Sequence, residues 1–272
     1  MQSFNGNMIS REETIGREKL PMDEAIKRHC AEIERCNQRG ERMLSVLDLL
    51  DAKTLDLDLA AYLMARISNG ASFMVGANPG GAGKTTVMCA LLNLVPPDRV
   101  LLAATPEAVR QGTAHPHCFI CHEVGSGHYF AYLWGRDLQA YCSLSEFGHI
   151  LASNLHADDL EEAYEQMCLD NGVPKAHFQS FHLMLFLQVS GVYPERRRRI
   201  ATIYSSDGQT PHKLVFDDAQ TNFTSDADPE WQAECRAFLQ QAAQESGRTI
   251  EEFRERVVAF LVSKQHPEGK EV

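Results

Sequence analysis

The segment that most constrains this chain is residues 73–86, FMVGANPGGAGKTT, an apolar run that breaks into a glycine-rich turn and ends in Gly-Lys-Thr-Thr. With VMCALLNLV behind it, the segment reads as strand, loop and helix. That order is the context in which a Gly-Lys-Thr string becomes a phosphate-binding loop. Counting back from Lys84, the pattern GxxxxGK[ST] reads Asn78-Pro79-Gly80-Gly81-Ala82-Gly83-Lys84-Thr85, with Thr86 following; the first position alone departs, with Asn for Gly. Backbone N–H groups of residues 80–84 are expected to point at the β-phosphate. Small residues let the chain approach closely, and the helix N-terminus adds its partial positive charge. Lys84 is expected to reach the β- and γ-phosphates and the Thr85 hydroxyl to ligate Mg²⁺. Asn tolerates a left-handed backbone better than most residues, so Asn78 is expected to make the turn that Gly makes elsewhere. The competing reading, a glycine-rich strand-to-helix turn that binds nothing, requires neither the Lys nor the Thr.

A length of 272 residues leaves room for one large core with appendages. With 26 Lys+Arg against 37 Asp+Glu the formal charge is −11, which argues against general nucleic-acid binding. The opening MQSFNGNMISREETIGREKL holds no apolar signal region, and no uninterrupted apolar run reaches about 18 residues. A soluble, cytosolic protein is expected. Eight cysteines, scattered without the framework of a small secreted domain, fit reduced and mostly structural thiols.

Taken in order, residues 1–20 are polar, and residues 22–43 combine weak helical periodicity with many charges, which predicts a solvated helix rather than one that docks. After the short apolar segment 44–50, Asp56 reads as the N-cap of LDLAAYLMARIS, which stops at Asn69-Gly70. Residues 100–102 and 118–124 (CFICHEV) read as buried strands, the second ending at Glu123, where such folds place the residue that orients the attacking water. Residues 125–134 read as an added hairpin or loop, 138–147 as a helix and 149–155 as a strand that delivers His156. Asp158-x-x-Glu161 reads as a capping box. Residues 182–190 and 198–205 predict an antiparallel pair joined through 191–194, and KLVFDDAQTNF a further strand and turn. From Asp228 the chain reads as two helices, the second opened by a Thr249-x-x-Glu252 capping box.

From about residue 43 to 262 these features together resemble the ATPases of type II and type IV secretion, pilus assembly and the archaeal flagellum, nearest the archaeal-type branch. Thr105-Pro106-Glu107 matches the tail of that family's aspartate box. Pro116, the strand 118–121 and Glu123-Val124 match its Walker B segment, and Gly148-His149 with Leu155-His156-Ala157 match its histidine box. The resemblance implies an α/β fold, with a RecA-like P-loop NTPase core and antiparallel strands over 43–225. A polar, helical extension (1–42) precedes it and C-terminal helices (226–272) follow. It implies ATP/ADP and Mg²⁺ as ligands, Glu123 and His156 as catalytic residues, and a homo-oligomeric ring of the hexamer type. It also implies an inner-membrane platform partner, no nucleic acid, and a cytoplasmic protein peripheral at the inner face of the membrane. His156 takes a γ-phosphate-sensing or subunit-coupling role, and His149 a structural one.

The chain also departs from that family. Ala103-Ala104 stand where the family carries Glu-Asp, and the interval between Glu107 and Pro116 lacks its usual arginine-bearing segment. The departures bear on hydrolysis rather than on binding. Two functional classes therefore stand side by side: an ATPase that powers export or pilus assembly, and a non-hydrolysing paralogue that binds nucleotide as a structural or regulatory ligand. A stand-alone nucleotide switch is a third. Glu107 is a weak substitute for the lost acids. Residues 196–199 (Arg-Arg-Arg-Arg) read as a solvated turn rather than a phosphate contact. Cys118-x-x-Cys121-His122 is formally a haem-attachment string, with His115 and His117 upstream as partners for a zinc reading. A strand, however, puts the two thiols on opposite faces, which favours a structural role.

Overall fold

Apolar segments of strand length run through the middle of the molecule, and their backbone groups are satisfied by pairing in one sheet. The strands are β1 (Phe73–Gly76), β2 (Val100–Ala103), β3 (His117–Val124), β4 (Tyr132–Leu133), β5 (Ile150–Leu155), β6 (Leu183–Ser190), β7 (Arg197–Ser205), β8 (Lys213–Asp217) and β9 (Asn222–Phe223). The helices are α1 (Met22–Arg35), α2 (Val46–Asp51), α3 (Leu57–Ser68), α4 (Lys84–Leu92), α5 (Pro106–Gln111), α6 (Gly135–Ser143), α7 (Leu160–Tyr164), α8 (Lys175–Gln179), α9 (Pro229–Ala242) and α10 (Ile250–Gln265). The computed structural model describes residues 21–37, 40, 42–78, 81–113, 115–191 and 197–265. The expectations for residues 1–20, Pro79, Gly80, the connection 192–194 and Arg196 lie outside the described residues.

The sheet runs β2-β3-β5-β1-β6-β7-β8-β9, with β4 beside β3. Its first five strands are mutually parallel, from Val100↔His117 through Phe73↔Ala152 to Phe73↔Leu183. Leaving out the short β4, β1 lies between the fourth and fifth strands of this parallel set. That is the RecA-like order, in a mixed α/β fold. Beyond β6 the sheet continues antiparallel, as the residue pattern predicts. Burial on both faces explains why the parallel strands read as continuous apolar runs. One face carries Phe73, Val75, Cys118, Ile120 and Leu185 against α1, α2, α3, α4, α9 and α10. The other carries Met74, Phe119, Cys121, Leu151 and Phe186 against α6, α7 and α8.

Several local expectations hold at atomic level. Asp56 caps α3 by accepting the Leu59 N–H at 2.8 Å, and Thr249 and Glu252 cap α10 reciprocally. Others are corrected. The segment expected to be a solvated helix docks instead: α1 buries Ile26, His29, Cys30 and Ile33 in the main core. Its many charges lie on the opposite face and dilute the periodicity. The expected capping box at Asp158 is displaced by one residue, because Asp159 caps α7 by accepting the Glu162 N–H at 2.9 Å. Of the two alternatives for residues 125–134, the loop holds and the hairpin does not. Positive φ at Gly127 and Ala131 reverses the chain so that β4 returns parallel to β3, with Tyr132 opposite Glu123.

The far end of α4 is clamped. His29 Nε2 lies 3.1 Å from the Leu92 carbonyl, and the buried Arg254 guanidinium donates to the Asn93 and Val95 carbonyls at 2.8 and 2.5 Å. These contacts satisfy carbonyls that a helix end leaves open and hold α4 against both α1 and α10. Among the described residues no helix is long and apolar enough to cross a membrane.

Candidate functional site

The loop leaves the sheet at Gly76, where a side chain is impossible: a Cβ there would lie 2.6 Å from the Ala157 carbonyl oxygen and 2.7 Å from the Phe186 ring. The left-handed turns fall on Gly81 (φ 88°) and Gly83 (φ 101°). Asn78 does not take positive φ, contrary to expectation. Its N–H donates instead to Asp158 Oδ1 at 2.6 Å, which ties the loop to the end of β5. Gly83 then starts α4 with no side-chain cap, so the first N–H groups of the helix open into the cavity with the positive end of its dipole.

Lys84, the first residue of α4, folds back over the loop and is only 7% exposed. Its ammonium donates to the Ala77 carbonyl at 3.3 Å and to His156 Nδ1 at 3.1 Å, and lies 3.5 Å from Glu123 Oε2. Glu123 reaches this position through an irregularity in β3. Cys121 and Val124 lie on the same face although three residues apart, which strict alternation forbids. The register shift against β5 between them absorbs the extra residue and lets both His122 and Glu123 line the cavity.

Burial raises the Glu123 carboxyl to about 7, against the opposing pull of Lys84. Burial lowers Lys84 while Glu123 raises it, and burial followed by Lys84 lowers His156. Glu123 Oε1 has no hydrogen-bond partner among the described residues. A carboxylate with a pKa near neutrality, one free oxygen and a lysine beside it is suited to hold a water or accept a proton.

The surrounding cavity measures about 540 Å³ and is lined by residues 81–87 together with Tyr132, His156 and Arg198 among others. Arg198 corrects the expectation of a solvated turn: it stands on β7 rather than in a turn, and although exposed it packs over the loop. A Cβ built on Gly83 would lie 3.1 Å from Arg198 Cδ and 3.7 Å from its Nε. Residue reasoning also missed Tyr132, Asp158 and Cys36. The four-arginine run is a signal for Arg198, but nothing in the local pattern shows that β7 crosses the loop.

Other expected residues are not brought here. Ala103 and Ala104 are buried, and neither is among the residues that line the cavity. Glu107 is exposed and pairs with Arg110 at 3.5 Å. His149 is structural as expected, its Nδ1 accepting the His117 N–H at 2.9 Å. Cys118 and Cys121 fall in opposite cores, as strand alternation requires, and burial pushes both thiols up. His122 turns away from them toward Cys36.

The donor set fits a phosphate chain with a divalent cation. It offers an uncapped helix start, two left-handed glycines, one buried ammonium and the arginines Arg42, Arg197 and Arg198. The half-buried Thr85 sits in the first turn of α4 to meet the cation.

No protein-family model matches the chain, and no curated protein sequence does either. Among solved structures, the chain is similar to the VirB11 ATPase from the Brucella suis type IV secretion system in complex with sulphate. The identity is 17% over 59% of this chain and 54% of that one, with a TM-score of 0.41. It is also similar to the Legionella pneumophila ATPase DotB, at 13% identity over 77% of this chain and 65% of that one, with a TM-score of 0.39. The chain thus spans between about half and two thirds of the length of these neighbours.

Proposed function

We propose that this protein binds ATP and ADP with Mg²⁺ on residues 78–86 and acts as a slow ATPase of the secretion and pilus-assembly type. The observation that carries the reading is Lys84, held over an uncapped helix start by Glu123, His156 and the Ala77 carbonyl. In this reading the loop N–H groups and Lys84 hold the phosphates, Arg198 adds a cation from the same chain, and the Thr85 hydroxyl ligates the metal. Bound Mg²⁺ supplies charge neutralisation and orientation of the phosphates. Glu123 orients the attacking water and takes its proton, and His156 relays the state of Lys84 to the surface. A ring of identical subunits, a cytoplasmic position and an inner-membrane platform partner extend the reading from the family resemblance.

The second reading, a non-hydrolysing nucleotide-binding paralogue, is favoured by one observation: no acid from the segment 103–107 reaches the cavity. Titration calorimetry with Mg-ATP and Mg-ADP tests what the two readings share. The wild type is expected to bind, and Lys84→Ala to bind at least about tenfold more weakly, roughly 1.4 kcal/mol. Absence of binding to the wild type refutes both.

A further inference from the structure

Below the cavity, three side chains from separate parts of the chain converge that phosphate chemistry does not use. Cys36 follows the end of α1, Cys89 lies in α4 and His122 in β3. Cys36 Sγ is 3.2 Å from His122 Nε2, and the Cys89 side chain is the strongest single influence on the Cys36 thiol. The two sulfurs hang on one turn of backbone: Cys89 Sγ lies 4.0 Å from the Ile33 carbonyl, which also accepts the Cys36 N–H at 3.0 Å. Cys36 lines the cavity and Cys89 is sealed behind it.

This pair differs from the other thiols. Burial pushes up Cys30, Cys118, Cys121, Cys142, Cys168 and Cys235, which makes them inert. Cys36 is the exception among the eight. Cys89 first, and His122 with it, hold the Cys36 thiol below the ordinary range against the opposing effect of burial, while Cys89 is pushed up in return. A thiolate beside an imidazole, with a second thiol packed against the same turn of backbone, is the arrangement of an attacking and a resolving cysteine.

We propose that Cys36 and Cys89 form a peroxide-oxidisable dithiol, with His122 as the acid–base partner of Cys36, and that their disulfide ties α1 to the phosphate-loop helix. The Cys36 thiolate attacks a hydroperoxide oxygen. The S–O bond forms, the O–O bond breaks, and the leaving hydroxide takes the proton held by His122 and departs as water. Cys36 is now a sulfenic acid, oxidised by the two electrons that reduced the peroxide. Cys89 sulfur attacks Cys36 sulfur, the S–S bond forms, and the S–O bond breaks. Hydroxide leaves with the Cys89 proton as a second water. The linkage fixes α4 five residues beyond Lys84, so oxidation alters the nucleotide site. That last consequence rests on the function proposed above.

The test treats the full-length protein with hydrogen peroxide, blocks the remaining thiols with an alkylating agent and maps peptides by mass spectrometry. A disulfide joining Cys36 to Cys89, with the other six thiols alkylated and the bond reversed by dithiothreitol, is the expected result. Cys89→Ala is expected to stop at the Cys36 sulfenic acid, trapped by a dimedone label. His122→Gln is expected to slow the reaction by on the order of tenfold as the thiolate fraction falls. All eight thiols remaining free, a bond between any other pair, or Cys36 passing to the sulfinic acid with Cys89 untouched each overturn the proposal. A parallel arm with Mg-ADP is expected to slow oxidation of Cys36. Failure of that arm alone counts against the nucleotide reading and leaves the dithiol standing.

Discussion

Replacing Glu123 by Gln tests the electrostatics of the site without disturbing its shape. The wild-type carboxyl titrates at about 7 in the fold against an ordinary 4.5. Between those values the folded protein holds a proton that the unfolded chain has released. Stability therefore falls as pH rises through the window and stays lowered above it. Full displacement corresponds to about 3 kcal/mol. Since part of the window lies below pH 5, the range from pH 5 to pH 8 captures most of it, on the order of 2–3 kcal/mol. Gln carries no charge at any pH and so lacks this slope. Losing Glu123 also depresses Lys84 further, and that effect favours the variant at high pH in the same direction. Urea unfolding of both proteins without nucleotide, at pH 5, 6, 7 and 8, gives the comparison directly. Glu123→Gln is expected to gain on the wild type by on the order of 2–3 kcal/mol over the range. A difference that stays constant to within about 0.5 kcal/mol would show that Glu123 is ionised and well solvated, and would refute its role as a near-neutral proton acceptor.

Two further outcomes follow from the same geometry. Arg198→Gln is expected to weaken Mg-ATP binding by about 1 kcal/mol, roughly fivefold, at low salt, and by less in 0.5 M salt, because the guanidinium is exposed and screened. Titration at both ionic strengths checks this, and an unchanged affinity removes Arg198 from the site. Steady-state turnover of ATP is expected to stay below about 1 s⁻¹, with Glu123→Gln slower still, since no acid from 103–107 reaches the cavity. A faster wild type means that another residue supplies the missing charge.

The amino-acid sequence determined the parts of this protein that rest on local physics. A continuous apolar run of four to eight residues bounded by turn formers is a buried strand wherever it sits, so β1, β3, β5 and the antiparallel pair β6–β7 were legible. So were the N-caps at Asp56 and Thr249, which depend on a hydrogen bond reaching only three residues along. The loop spacing around Lys84 belongs to the same class. Tertiary structure alone decided the rest. The charges of α1 mask a face that finds its partner only in the folded core, and Asn78 gives its N–H to an aspartate 80 residues away. The register shift that turns Glu123 toward Lys84 is set by pairing with β5, and Arg198 covers Gly83 because β7 lies two strands from β1. Cys36, Cys89 and His122 are separated by more than 30 residues each, and the pattern around each is that of an ordinary buried thiol or strand histidine. Such contacts follow from how strands and helices stack, and residue spacing carries no record of it.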